Sequence, residues 1–339
     1  MRKLRRIDLY IIPLFFVLIA SVILRTVALF TSFNTGTMHF DDKILITISN
    51  ILVAISCIGF ASYLIFGEKE RELIAKSNNA RSYIPAGIVS TALLFFGADN
   101  IGKIFDGTYV ADPLPAMATV CAILAFLSVV SFFLTVFVEH NDNMFKAAFS
   151  LCIVLCLAIY ATMLFFNKQS HPTNSPNKLV DQFAYLSAAL FFLFESRICI
   201  GRTIWRGYVA FGLISTLLCA YSAIPSLILY LANGYVLAGS LAESVLTLSL
   251  AALICSKVLQ IPALTPDCES DAARSITMLA IMREGEMEEQ RKLSRAQDIN
   301  KMEENDTEDA SNYTFDIPEV EPKTDFSTDS GDSDYTETI

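Results

Sequence analysis

Three charged residues, Arg25, Asp99 and Glu243, stand inside long apolar stretches of this 339-residue chain. A charge in hydrocarbon is costly, so such residues face a bundle interior or a water-filled cavity and mark ion, proton or solute sites. At about 1.5 Å rise per residue, Arg25 lies roughly 24 Å from the inner start of its segment and Asp99 roughly 24 Å along its own. Glu243 falls roughly 10 Å below the outer end of its segment. All three then occupy the outer half of a ~30 Å hydrocarbon core. A buried Arg25 paired with Asp99 or Glu243 would form a polar site open to the outer face.

Each residue also has a plainer role. Arg25 can extend its stem and carry its charge to the headgroups. Asp99 has Lys103 at i+4, one turn further out, as a local partner. Glu243 has Ser240 at i−3 and Thr247 at i+4 on its own face and no basic residue within a turn, which suits either a proton- or cation-binding carboxylate or a buried hydrogen-bonded acid. Glu195 and Arg197 together read as an interfacial pair at the inner end of their segment.

Other chemistry lacks its usual signatures. There is no HExxH pair, and His39, His140 and His171 all fall in connections, so a zinc hydrolase site is not indicated. A Walker loop, a dinucleotide fingerprint and a GxSxG elbow are missing too. We therefore assign no catalytic residue, metal ligand or cofactor. Cys152 and Cys156 share a helix face but bring no further ligands, and read as small packing residues.

The elements that must hold these residues follow from composition. The chain is 53% hydrophobic and 18% charged, more apolar and less charged than soluble domains, so the excess is concentrated in segments that avoid water. Eight runs are long enough to cross a bilayer, which takes about 20 residues: 9–31, 44–66, 83–105, 114–138, 145–166, 180–199, 207–231 and 236–257. Helices are the expected form, because lipid cannot satisfy a bare backbone, and the alternation of a β-barrel strand is missing. The basic start MRKLRR leads into a run that continues to Phe30 without a convincing cleavage site, and reads as a retained first helix.

Lys and Arg set the expected orientation. With the N-terminus inside, the inner connections hold 12 of them (Arg2, Lys3, Arg5, Arg6, Lys69, Arg71, Lys76, Arg81, Lys146, Arg197, Arg202, Arg206) against four outside (Lys43, Lys103, Lys168, Lys178). Both termini are then cytoplasmic and the protein belongs in the cell membrane. Six of the eight cysteines lie within the segments and the other two on the inner side, which disfavours a disulfide framework.

The chain also resembles itself. Residues 81–96 read RSYIPAGIVSTALLFF and residues 206–221 read RGYVAFGLISTLLCAY, matching Arg81 with Arg206, Tyr83 with Tyr208, Gly87 with Gly212 and Thr91 with Thr216. Asp106-Gly107 and Asn233-Gly234 follow at similar offsets, where outer turns belong. The matched helices are third and seventh, so a duplication would give two parallel four-helix halves. Tyr83, Gly87 and Thr91, like Tyr208, Gly212 and Thr216, share one helix face, and small residues at this spacing let helix backbones approach closely. Pro225, well inside the seventh segment, removes one backbone bond and should bend it beside Ser222 and Ser226.

The net charge of −10 divides unevenly: residues 1–259 carry 18 basic and 14 acidic residues, a balance of +4, and residues 260–339 carry 7 and 21, a balance of −14. Residues 260–304 carry apolar positions among charges and read as a cytoplasmic amphipathic helical segment, interrupted at Gly285. Residues 305–339 are rich in Asp, Glu, Ser and Thr and read as a disordered acidic tail. Its partners would be a cytoplasmic protein or a second copy; acidic charge disfavours nucleic acid.

The expected fold is thus an all-α, polytopic bundle of eight transmembrane helices in a lipid bilayer, with a cytoplasmic helix and an acidic tail. Two functions fit. A non-enzymatic regulatory or scaffold protein is favoured by the tail, the short connections and the missing catalytic motifs. The alternative is a secondary transporter or channel for a small solute or ion, with its site in the outer half of the bundle.

Overall fold

The computed structural model describes residues 7–34, 39–67, 80–109, 113–137, 144–167, 176–199, 205–234, 240–264, 285 and 287–295. The chain divides into two compact units, Met1–Ile276 and Thr277–Ile339. In the first, the helices are α1 (Asp8–Ser32), α2 (Ile44–Ala61) with its short continuation α3 (Tyr63–Phe66), α4 (Ala80–Phe105), α5 (Leu114–Phe137), α6 (Met144–Phe166), α7 (Pro176–Cys199), α8 (Trp205–Asn233) and α9 (Leu241–Leu264). Eight spans, α2 and α3 counted as one, are long and apolar enough to cross a membrane. A two-residue hairpin, β1 (Phe33–Asn34) with β2 (His39–Phe40), joins α1 to α2 and was not anticipated from the sequence.

Local chemistry sets the helix ends that matter for the site. Gly107 has φ +68° and Gly234 φ +67°, left-handed conformations that cost glycine nothing. At the end of α4 the Thr108 N–H reaches back to the Lys103 carbonyl at 3.0 Å, the long bond of a Schellman-type stop. Both Asp-Gly and Asn-Gly pairs therefore terminate helices as expected. α9, however, begins at Leu241 rather than at 236. Ser240 supplies the reason: its Oγ accepts the Glu243 backbone N–H at 3.3 Å, as an N-cap does. Glu243 therefore sits in the first turn of α9, roughly 3 Å from its start, not roughly 10 Å down the helix.

Helix packing closes α4 through α9 into a six-membered ring, each helix on the next and α9 back on α4. α8 is the most enclosed span, and α1 and α2 the least. These last two pack against each other and against α8 from outside the ring. The expected pair of equivalent four-helix halves is not the grouping seen among the described residues. α4 packs on α9, but α8, which would be its counterpart, has no matching packing on α5, and α1 and α2 join the second half rather than their own. Where the surroundings are as apolar as the helices, association rests on close packing and interhelical polar contacts. The ring interior supplies both, with Phe96, Tyr160 and Tyr185 in successive edge-to-face contact at centroid distances of 4.8 and 5.0 Å.

In the second unit, residues 287–295 are helical and exposed, and Gly285 is itself in helical conformation. Lys292 lies 3.8 Å from Glu288 across one exposed turn. Of the rest of the expected cytoplasmic segment, residues 260–264 instead complete α9, and the remainder and the acidic tail at 305–339 lie outside the described residues.

Candidate functional site

One group of polar residues in the first unit gathers at the end where α4 stops and α9 starts, called here the Glu243 end. Lys103 joins two carboxylates there: its Nζ lies 2.6 Å from Glu243 Oε1 and 2.9 Å from Asp99 Oδ2. Ser240 completes the link by donating to Asp99 Oδ2 at 2.6 Å. These bonds span the α4–α9 seam that closes the ring. They also suit the helix ends, because Lys103 is in the last turn of α4 and Glu243 in the first turn of α9, where their charges oppose the local dipoles. Ser240 and Glu243 have the spacing of a capping box, but the Glu243 carboxylate is spent on another helix. Tyr109, placed by the turn at Gly107, lies over this cluster with its ring 5.9 Å from Lys103 Nζ. Burial pushes its phenol up to about 12, against the opposing pull of the Lys103 charge.

Deeper in the ring, α7, α8 and α9 converge on a polar cavity of about 10 Å³ lined by Asp181, Tyr185, Ser222, Ser226, Glu243, Ser244 and Thr247, with Leu164 of α6 on one side. That volume is about one water molecule's worth of space. Asp181 accepts a hydrogen bond from Ser222 Oγ. Thr247 Oγ1 is 2.9 Å from the Tyr185 hydroxyl and 2.8 Å from the Glu243 carbonyl oxygen. The polar lining is oxygen throughout, a donor set suited to a proton, a water or a hard cation rather than to a soft metal. Among the described residues no group of three or more His, Cys, Asp or Glu is arranged to hold a metal.

Arg25 is not part of this carboxylate cluster. It is 1% exposed, and its Nη2 donates to Asn177 Oδ1 on α7 at 3.0 Å, while its guanidinium carbon lies 4.5 Å over the Tyr221 ring on α8. Its Nε and Nη1 have no acceptor among the described residues. The expected pairing with Asp99 or Glu243 fails because α1 packs outside the ring on α8, whereas those carboxylates face each other across α4 and α9. The same Tyr221 donates to Asn50 Oδ1 at 2.7 Å and lies 2.9 Å from Ser49 Oγ, tying α8 to α2.

Other expected residues are placed as follows. Glu195 pairs with Lys257 of α9 rather than with Arg197, because residues two apart on a helix point to different sides. Pro225 is buried within unbroken α8, three residues beyond Ser222. Gly212 is in tight contact: an added Cβ would lie 2.6 Å from Val258 of α9 and 3.2 Å from Phe191 of α7. Thr216 is buried on the same face, and Tyr208 stacks on Phe191 at 4.8 Å. The matching positions differ, since Gly87 and Thr91 are exposed and nothing lies within 4 Å of where a Gly87 Cβ would be. Tyr83 is half-buried. Cys156 lies 3.5 Å from Cys121 of α5, sulfur to sulfur, with both as free thiols.

No family model, curated protein or solved structure matches this chain. The site must therefore be read from its own chemistry. Its least expected member is Asp181, which begins an apolar segment and has no local signal beyond its charge. The serines of α8, at positions 222 and 226, were the nearest available hint.

Proposed function

We propose that the chain is a multi-pass membrane protein that takes up a proton or a small hard cation between Asp181 and Glu243, and acts as a secondary transporter or channel for it. The observation behind this reading is that two carboxylates from different helices of the ring line one polar, oxygen-rich cavity. Acidic residues at membrane depth are expensive and by default functional. The excess of Lys and Arg in alternate connections supports cytoplasmic termini and puts the site in the outer half. The test is ion flux in proteoliposomes, with an internal pH dye for protons and defined salt gradients for cations. Wild type should dissipate a gradient, and Asp181→Asn and Glu243→Gln should each abolish flux while remaining folded. Undiminished flux in a folded double variant would end this reading.

A regulatory or scaffold role is the second reading, favoured by α9. That helix is held by ion pairs to α4 at one end and to α7 at the other, and it leads directly into the acidic C-terminal region. Cytoplasmic partners would then be captured by full-length protein and lost on deleting residues 277–339, with flux absent in both forms.

A further inference from the structure

A second feature lies outside the ring and owes nothing to the carboxylates. α2 and α7 both pack on α8 without packing on each other, which leaves a groove of about 680 Å³ along the side of the bundle. Its walls include Val53 and Cys57 of α2, Phe183 and Leu186 of α7, and Ile214 and Leu218 of α8. Phe183 and Leu186 are exposed, so the groove opens away from the bundle axis. On α7 it runs from Leu179 to Leu190 and on α8 from Phe211 to Tyr221, roughly 15–17 Å by helical rise. That is the depth of one leaflet of a ~30 Å hydrocarbon core.

The groove is not apolar to its end. Asn50 and Tyr221 belong to its lining, and Leu179 follows two residues after Asn177, the acceptor for Arg25. Arg25 covers the Tyr221 ring and keeps two N–H groups without an acceptor among the described residues. Lys178 is close in sequence, its ammonium donating to the Phe165 and Asn167 carbonyls at 3.0 and 3.2 Å. Asp181, the nearby carboxylate, accepts from Ser222. Arg25 is therefore a cation set against the groove lining through Tyr221, with two donors left over among the described residues.

We propose that this groove binds an anionic membrane lipid, with one acyl chain laid between α2 and α7 on α8 and the head group at the Asn50–Leu179 end, attracted by Arg25. The chain fits the length and apolarity of the groove, and the head group fits the charge. A neutral lipid would satisfy the walls and leave the cation unanswered. The lipid would also fill the gap between the α1–α2 pair and the ring.

The test uses full-length protein in nanodiscs of neutral phosphatidylcholine containing a trace of phosphatidylglycerol that carries a photoactivatable group mid-chain. Crosslinks should concentrate on peptides covering 50–58 of α2 and 179–190 of α7. Unlabelled phosphatidylglycerol should compete about five- to tenfold better than phosphatidylcholine, the effect of one basic residue on an anionic lipid. Arg25→Gln should erase that preference while leaving chain labelling in place. Ile214→Trp should block the groove floor and remove labelling; Ala54→Phe, on the exposed rim of α2, does the same if the first variant does not fold. Labelling spread evenly around the bundle, or equal competition by neutral lipid in wild type, overturns the proposal. Competition by inorganic phosphate as strong as that by phosphatidylglycerol also overturns it, since the site would then hold a free anion.

Discussion

The two ends of α9 are both tied by ion pairs, and they are built differently. At the Glu243 end one ammonium, Lys103, serves two carboxylates, with Ser240 linked to Asp99 and Tyr109 above. At the opposite end Lys257 serves Glu195 alone, and Glu195 Oε2 has no partner among the described residues. The first cluster lies across α4 and α9, the seam that closes the ring, and adjoins the polar cavity; the second lies across α7 and α9. A buried pair without further hydrogen bonds is replaceable by well-packed apolar side chains, whereas a network leaves uncompensated members when any pair is removed. The Lys257 pair therefore reads as a fastening, and the Lys103 cluster as a site with a cost that packing alone would not demand.

Substitutions can break that contrast. The largest effect is expected for Lys103→Met, which strands Glu243 and Asp99 together and should cost about 3–5 kcal/mol in unfolding free energy in a matched detergent. Glu195→Ala should cost about 3 kcal/mol by stranding Lys257. The decisive comparison is between double variants: Glu195→Leu with Lys257→Met should recover most of the loss, because both charges leave together. Lys103→Met with Glu243→Leu should stay destabilised, since Asp99 and Ser240 remain. Equal recovery at the two ends would erase the distinction.

Smaller effects sharpen it. Asp99 is the more exposed of the two carboxylates on Lys103, and Asp99→Asn should cost at most about 1 kcal/mol, since screening weakens such contacts. The last effect is absent at neutral pH and appears only in alkali. The Tyr109 phenol is raised from its ordinary value of 10 to about 12, so the folded protein holds this proton where the unfolded chain has released it. That contribution is complete below pH 10 and is lost as pH rises towards about 12. Tyr109→Phe should flatten the fall in melting temperature across this window. A wild-type-minus-variant phenolate absorbance titration centred on 10 rather than about 12 would show that Tyr109 is not perturbed.

The sequence made the existence of the spans legible and left their partners obscure. Asp99 and Lys103 were readable as a pair because they are one helical turn apart. The Glu243 contact with Lys103 joins residues 140 positions apart, and no spacing rule reaches so far. Arg25 illustrates the same limit in another form: its acceptor is the neutral side chain of Asn177, whereas matching charges pointed to the carboxylates. Gly87 and Gly212 occupy equivalent places in two similar segments, yet only Gly212 meets another helix closely. The difference lies in the neighbours, since α8 is the ring helix that also carries the α1–α2 pair, while the Gly87 face of α4 looks outward. Asp181 carries no local signal, because nothing within a turn of it announces Ser222 of α8 or the second carboxylate of α9 that lines the same cavity.

What the residues determined by themselves is local: which stretches are apolar for about 20 residues, where Gly107 and Gly234 stop a helix, and how charge divides between the body and the C-terminal region. Each follows from backbone hydrogen bonds made within one helix and from side chains a turn apart. The ring, the placement of α1 and α2 outside it, and the shared cavity of Asp181 and Glu243 belong to tertiary structure alone. Helices of nearly uniform apolarity present similar surfaces on every side, so their neighbours and rotations are chosen by close packing and by a few long-range polar contacts.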